Sequence, residues 1–281
     1  MSAQYTSLYQ DRIQRVLTYI HDNPDGDLSL DQLADVAAMS RFHWHRVFRA
    51  MTGETCAQAV RRVRLHRAAA WLVQSDQPIE TVAANCGYPN AASFARAFGE
   101  AYGQRPVAFR KAGRLLPPLK HLQSGDYTMQ TITIRTEPAR RLVGLHHAGS
   151  YFKIGECFER FGAMIRAGNL WPQTGAWIGI YFDNPEAVAE ENLRSLVGAV
   201  WDSKDVPDGM VEHHLAGGKT AVLSYKGPYD KVSEAYAALF GDWLPKSGEE
   251  PADGPCYEVY LNSPTDTAPE GLMTEICLPL K

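Results

Sequence analysis

Two stretches in the first half of this chain repeat each other. Leu30-Asp-Gln-Leu-Ala34-Asp-Val-Ala-Ala38 matches Ile79-Glu-Thr-Val-Ala83-Ala-Asn-Cys-Gly87 at an offset of 49 residues. After a one-residue insertion, Arg46-Val-Phe48 and Gly53 match Arg96-Ala-Phe98 and Gly103 at an offset of 50. Each copy reads as a short helix, a tight turn, a second amphipathic helix and a glycine stop, the layout of a helix-turn-helix. Alanine at 34 and 83 lets the two helices approach closely. A single copy is compatible with a plain helical bundle, whereas two copies with basic second helices point to paired DNA-reading units.

The surroundings agree. Residues 1–113 lack alternating β-branched runs, and apolar residues recur at spacings of three and four, as in Ile13, Val16, Leu17 and Ile20. Asn23-Pro24-Asp25-Gly26 breaks the first helix, and Ser29 is placed to cap the next. Between the copies, Ala57–Gln74 has no Pro or Gly and reads as one helix of roughly 27 Å. Successive major grooves on one face of DNA lie about 34 Å apart, so such a helix can hold two recognition helices in neighbouring grooves of one duplex. Charge is unevenly shared: residues 1–120 hold 15 Lys/Arg against 10 Asp/Glu, and residues 121–281 hold 13 against 22. A basic segment beside an acidic one suggests that the first meets a polyanion.

The chain here resembles the AraC/XylS family of transcription activators. The matching residues are Ala34, Met39-Ser40, Phe48, Gly53, Arg64-Leu65, Ala68, Leu72, Ile79, Val82-Ala83, Gly87-Tyr88, Ser93-Phe94, Arg96, Phe98, Gly103, Pro106 and Phe109-Arg110. The likeness covers about residues 8–112. One departure is Cys56, where the family's first unit often has proline, and it questions the local turn. Most such proteins carry this domain at the C-terminus; here it leads the chain. In the first unit Arg41, Phe42, His45 and Arg46 are the outward candidates. Arg46 suits bidentate bonding to guanine, and the resemblance supports Phe42, His45 and Arg46 as base readers. Trp44, Val47 and Phe48 are expected to face inward. In the second unit Asn90, Ser93 and Arg96 are the candidates, with Arg96 carrying most of the readout. Arg61, Arg62, Arg105, Arg110 and Lys111 are candidate phosphate contacts, which position but do not specify; for each, a solvated surface charge is the plainer alternative.

Leu115-Leu116-Pro117-Pro118 to Ser124-Gly125-Asp126 reads as a linker, and from there the period changes. Met129–Ile134 alternates as a half-buried strand does. Further strands are expected at Leu142–His147, Ala176–Phe182, Leu196–Trp201, Thr220–Tyr225, Tyr257–Leu261 and Met273–Leu278, with helices at Lys153–Ala167 and Asp230–Leu244. A second repeat relates Gly149-Ser-Tyr151-Phe-Lys153-Ile-Gly-Glu156-Cys-Phe158 to Gly227-Pro-Tyr229-Asp-Lys231-Val-Ser-Glu234-Ala-Tyr236 at an offset of 78. The expected fold is therefore multidomain: an all-α double helix-turn-helix domain (1–113), a linker (114–126) and an α+β domain (127–281) of duplicated β-α-β-β units that can pair around a groove.

With Tyr181-Phe-Asp-Asn-Pro185-Glu, Tyr257-Glu258-Val-Tyr260-Leu and Thr274-Glu-Ile276-Cys-Leu-Pro279-Leu, this second half resembles the GyrI-like effector-binding domain. That resemblance implies a carboxylate near the groove floor, at Glu258. Trp177, Tyr181, Trp201, Tyr229 and Tyr260 are candidate wall residues, although most of the domain's aromatic rings are expected in the core. A buried carboxylate is costly alone, and an organic cation both neutralises it and stacks on aromatic rings. This points to lipophilic cationic or planar aromatic effectors, as in multidrug sensing. For Glu258 the bland alternative is a strand residue facing solvent or an arginine.

The rest is exclusion. No run of 18 apolar residues exists and the N-terminus has no apolar signal core, so a cytoplasmic location without membrane contact is expected. Five scattered cysteines suit reduced thiols. No nucleophile elbow or P-loop is present, and the paired histidines 43/45, 146/147 and 213/214 are wrongly spaced for a metal; no catalytic residue, metal or cofactor is expected. Some GyrI-like domains resemble hydrolases of strained small molecules, which leaves a hydrolase or drug-sequestering module as the alternative. A protein that shapes DNA, with its second half only docking to partners, is the third reading. The expected partners are double-stranded DNA, a small-molecule effector and, by resemblance to activators, RNA polymerase.

Overall fold

The computed structural model describes residues 2–113, 131–183 and 188–281. The expected linker at 114–126 and the first two residues of the expected strand 129–134 lie outside the described residues. So do residues 184–186 of the Tyr181–Glu186 signature.

Among the described residues, seven helices build the first half: α1 (Ser2–Asp22), α2 (Leu30–Ala37), α3 (Trp44–Thr52), α4 (Cys56–Gln74), α5 (Ile79–Asn85), α6 (Ala91–Tyr102) and α7 (Pro106–Ala112). Helices α2–α3 and α5–α6 are the two repeat copies. The Ser29 side chain caps α2 by accepting from the Gln32 amide. Asn90 caps α6 through the Ser93 amide at 2.8 Å. Helix α4 starts in a capping box: the Gln58 amide donates to Thr55 Oγ1 at 3.1 Å and the Thr55 amide donates to Gln58 Oε1 at 2.8 Å. Cys56 is therefore the first residue of α4, and Pro106, 50 residues on, is the first of α7. A first helical residue needs no amide donor, so proline and cysteine both serve there. The departure at Cys56 leaves the turn intact.

α4 joins two small cores. Cys56, Ala59 and Val63 pack with Ile13, Val16, Ile20, Leu33, Trp44 and Phe48 of the first unit. Leu65, Ala68, Ala69 and Leu72 pack with Val82, Phe94, Phe98 and Phe109 of the second. Arg64 and Arg67 donate to the Pro24 and His21 carbonyls at 2.6 and 2.7 Å, tying α4 to the end of α1. At 19 residues, it spans about 28 Å.

The second half is one antiparallel eight-stranded sheet: β1 (Ile132–Glu137), β2 (Arg140–Ala148), β3 (Thr174–Tyr181), β4 (Arg194–Trp201), β5 (Val211–Leu215), β6 (Gly218–Lys226), β7 (Cys256–Tyr260) and β8 (Met273–Pro279), in the order β1-β6-β8-β7-β3-β4-β2-β5. Two β-α-β-β units are present, β2-α8-β3-β4 and β6-α9-β7-β8, with α8 at Ile154–Ala167 and α9 at Val232–Ala237. The strand that precedes each unit crosses over to the other unit: β1, before the first, pairs with β6, and β5, before the second, pairs with β2. β5 was not anticipated. Val-Glu-His-His-Leu is weakly apolar and becomes a strand because β2 offers it an edge. The expected helix at 230–244 is also more complex. After α9 the chain widens into a π-helical turn over Ala238–Trp243 before α10 (Leu244–Ser247).

Candidate functional site

The two units meet where β3 pairs with β7. Trp177 lies opposite Tyr260, Gly179 opposite Glu258 and Tyr181 opposite Cys256. With period-two alternation, all six face the same side of the sheet. The local two-fold about the Gly179–Glu258 pair, an offset of 79 where the helices repeat at 78, places Tyr181 and Tyr260 at equivalent positions, and Gly179 and Glu258 likewise. The symmetry is thus broken on its axis: one unit supplies a carboxylate and the other a vacancy. A Cβ on Gly179 would stand 2.9 Å from Tyr260 Oη and 3.2 Å from Tyr181 Cε2, so the glycine makes room for the tyrosine pair.

Glu258 is 4% exposed. Its carboxylate accepts from Tyr236 Oη at 2.9 Å and from Tyr260 Oη at 2.8 Å. The Tyr260 and Tyr181 hydroxyls lie 2.8 Å apart. Among the described residues Glu258 forms no ion pair. Burial pushes its carboxyl above the usual range, against the two donated hydroxyls and the charge of Arg46, which pull it down. Burial likewise raises the phenols of Tyr181, Tyr236 and Tyr260 far above their ordinary value, so they stay protonated as donors. Rings continue the wall. Tyr229 and Phe158 meet Tyr260 edge-on at 5.7 and 5.1 Å, and Trp177 stacks on Phe158 at 6.2 Å.

Of the expected ligand residues, Glu258, Tyr181, Tyr260, Tyr229 and Trp177 are brought together. Trp201 is not. It is buried in the core beneath α8 with Phe161 and Ile165, its indole N–H donating to the Asp205 carbonyl at 2.9 Å. The end of β4 carries it to that core. Sequence reasoning passed over Tyr236, Phe158 and Tyr151. The signal was available: Phe158 and Tyr236 are repeat partners, as are Tyr151 and Tyr229. Tyr151 meets Tyr181 edge-on at 5.0 Å, much as Tyr229 meets Tyr260.

In the helical half, the second unit is open. Asn90, Arg96 and Lys111 are exposed. Asn90 and Ser93 commit their side chains to the cap of α6, Ser93 Oγ donating to the Asn90 carbonyl at 2.9 Å. Ser93 and Arg96 line a groove between the two units with Arg61, Arg64 and Tyr88. Three of the expected phosphate contacts have internal partners. Arg61 pairs with Glu100, Arg62 pairs with Glu54 at 2.6 Å, and Arg110 donates to the Leu72 and Gln77 carbonyls at 3.2 and 2.6 Å.

Residues 130–281 match the family of the GyrI-like small molecule binding domain, and residues 33–112 match a helix-turn-helix domain. The chain belongs to the GyrI-like family. It is 24% identical over 288 residues to the right origin-binding protein of Escherichia coli strain K12, covering 96% of this chain and 98% of that one. It is 32% identical over 137 residues to a DNA gyrase inhibitor of Edwardsiella piscicida, 47% of this chain and 86% of the other. The bifunctional transcriptional activator/DNA repair enzyme AdaA of Bacillus subtilis is 32% identical over 103 residues, 37% of this chain. The chain spans about half the length of that relative, 49%. A helix-turn-helix domain thus precedes a GyrI-like small molecule binding domain in this chain.

The first unit's reading helix lies against the GyrI-like domain. His43, Arg46, Val47 and Ala50, spaced as one face of α3, meet the π-helical turn. His43 stacks on Phe240 at 5.7 Å, and Arg46 Cζ sits 4.6 Å from the centre of the Tyr236 ring. Val47 joins a buried cluster with Phe240, Leu239 and Leu244. Arg12 pairs with Glu250 at 2.5 Å, Tyr9 Oη donates to the Glu249 carbonyl at 2.9 Å, and Ser40 Oγ donates to Asp253 at 3.2 Å. Three sequence expectations are corrected. Val47 faces the GyrI-like domain, while Trp44 and Phe48 do face inward. His45 is 6% exposed, and burial pulls its imidazole far below the usual range. Arg46 is partly buried with Nη1 sealed from solvent. Of the first unit's candidates, Arg41 is exposed and Phe42 half-buried, the Arg41 guanidinium resting 5.4 Å from the Phe42 ring centre.

No helix of the described residues is long and apolar enough to cross a membrane, and no cluster of three or more metal-ligating side chains occurs among them. All five cysteines are buried free thiols.

Proposed function

We propose that this protein is a transcription regulator whose DNA binding responds to a lipophilic or aromatic cation held at Glu258. One observation carries the reading: a carboxylate that is 4% exposed, holds two tyrosine hydroxyls and has no ion-pair partner among the described residues. Such a group strongly disfavours its own burial. A cation delivers the missing charge, and the rings of Tyr229, Tyr260, Phe158 and Trp177 cover its apolar body at about 0.5–2 kcal/mol per cation–π contact.

DNA is read by Arg96 in the second unit and by Arg46, with Phe42 and His45, once the first unit is free. Arg41, Asn90, Ser93 and Lys111 contribute nearby polar or backbone contacts. RNA polymerase is the natural partner of a regulator of this layout. We assign the site no catalytic step. The alternative, a hydrolase or drug-sequestering module, differs in outcome, because a hydrolase accumulates product from its ligand.

The test is calorimetric titration with an aromatic cation and its neutral isostere at pH 7.5, on wild type and Glu258→Gln. Wild type is expected to prefer the cation, and Glu258→Gln to lose at least tenfold of that affinity with the isostere unchanged. Equal affinity of wild type for the two ligands overturns the ligand assignment. Selection of duplexes from a random pool tests the DNA half, with enrichment of no sequence as its refutation.

A further inference from the structure

The same helix position carries arginine in both repeat copies, but its surroundings differ. On α6 the face is Ser93, Arg96, Ala97 and Glu100; on α3 the equivalent residues are His43, Arg46, Val47 and Ala50. The first set is polar and lies open at the groove between the units. The second is largely apolar around its arginine and sits on the GyrI-like domain. Reading DNA does not require that apolar frame, whereas docking does.

Where Arg46 lands is specific. Its guanidinium rests 4.6 Å from the ring centre of Tyr236 and 5.6 Å from that of Phe240. The Tyr236 hydroxyl donates to Glu258 at 2.9 Å. Its positive charge acts on Glu258, Cys256, Tyr236 and Tyr151. These residues lie on β7, on α9 and in the turn just before α8, around the seam where β3 pairs with β7. A planar cation on an aromatic ring beside a buried carboxylate is also the arrangement assigned above to the effector. Arg46 is an incomplete occupant, since its Nη1 is sealed from water without a hydrogen-bond partner, and an unmet buried donor is costly.

We propose that Arg46 is a built-in ligand of the GyrI-like site, that planar aromatic cations of amidinium or guanidinium type compete with it, and that this competition releases α3 for DNA. The proposal rests on the reading of Glu258 as a cation site. Arg46 cannot stack on Tyr236 and bond a guanine edge at once. Effector and DNA therefore favour the same undocked form and strengthen each other's binding, as linkage requires. The self-ligand also lowers apparent affinity for the effector by the fraction of molecules that are open.

The experiment uses the full chain with benzamidine, an aromatic amidinium, and benzamide as its neutral isostere. Saturating benzamidine is expected to speed amide exchange over residues 44–52 about tenfold or more, with benzamide inert. Arg46→Met keeps the side-chain stem without the charge and is expected to bind benzamidine about tenfold tighter, the self-competition being removed. Arg12→Ala cuts the tie to Glu250 outside the site, and is expected to move α3 exchange and benzamidine affinity in the same direction by a smaller factor. If benzamidine binds wild type and Arg46→Met equally and leaves α3 exchange unchanged, self-occupancy is overturned and the cation site stands. If Arg12→Ala speeds α3 exchange without tightening benzamidine, the competition is likewise overturned. If benzamidine binds neither wild type nor Arg46→Met, the cation site itself falls, and this proposal with it.

Discussion

The sharpest mechanical test of the docked arrangement is Gly241→Ala. Gly241 lies in the π-helical turn against α3, and a Cβ built there stands 2.8 Å from Ala50 Cβ and 3.4 Å from the Ala50 carbonyl oxygen. Carbon atoms at rest lie about 3.5–4.0 Å apart, so the two elements must part by about 1 Å. Neither side has a flexible side chain that can swing away, because the contact is a methyl group against helical backbone. Over-packing of this kind costs about 1–3 kcal/mol. Replacing glycine in a helix also gains about 0.5–1 kcal/mol, but docked and undocked forms gain it equally and it cancels. At about 1.4 kcal/mol per factor of ten, the docking equilibrium should fall roughly 5- to 150-fold. Hydrogen exchange read by mass spectrometry checks this: residues 44–52 should lose protection, while α4–α6 and β6–β8 keep theirs. A folded Gly241→Ala protein with unchanged protection over α3 would refute the reasoning.

Three further outcomes are expected. Ala38 and its repeat partner Gly87 both adopt left-handed backbone, with φ of 50° and 71°, a conformation that costs an alanine about 1–2 kcal/mol. Ala38→Gly should therefore raise the melting temperature, and Gly87→Ala should lower it further than strain alone implies, because its Cβ would meet Arg64 Cζ at 2.7 Å and push the guanidinium off the Pro24 carbonyl that it holds at 2.6 Å. Burial, helped by the charge of Arg46, pulls the His43 imidazole down to about 3 in the docked form, while a solvated histidine titrates near 6.5. The docked form refuses the proton, so its stability is complete above about pH 6.5 and is lost as pH falls toward 3, at about 1.4 kcal/mol per pH unit. Protection of α3 measured from pH 7.5 to 5 should fall accordingly, and His43→Phe should flatten the slope. In gel-shift titrations Arg96→Ala should relax specificity in one half of the site at a cost of about 1–3 kcal/mol. Lys111→Ala should weaken all duplexes alike and reduce the salt slope by about one; equal specificity loss in both variants would reverse these roles.

Much of this protein was legible before its structure. Periodicity and repeat spacing located the helix-turn-helix units, the helix that bridges their cores and both β-α-β-β units, and the resemblance to the GyrI-like domain pointed to the carboxylate at Glu258. These depend on interactions between near neighbours: caps such as Thr55 with Gln58, amphipathic stripes, and alternation along β7. Tyr236 and Phe158 were within reach of the same repeat, since each is the other's partner. The contrast between Ala50 and Glu100, or between Val47 and Ala97, was likewise a sign that one reading helix is covered and the other open.

Tertiary structure alone decided what covers that helix, how the leading strands cross over and which rings close around Glu258. β5 exists because β2 presents an edge, the glycine at 179 matters because Tyr181 and Tyr260 meet above it, and Arg46 lies over the rings of Tyr236 and Phe240, about 190 residues downstream. A hydrophobic pattern records which face of an element avoids water, and it is silent on which distant surface will meet that face. Local order follows from interactions a few residues apart, while docking is chosen by shape and charge between surfaces that only a folded chain possesses.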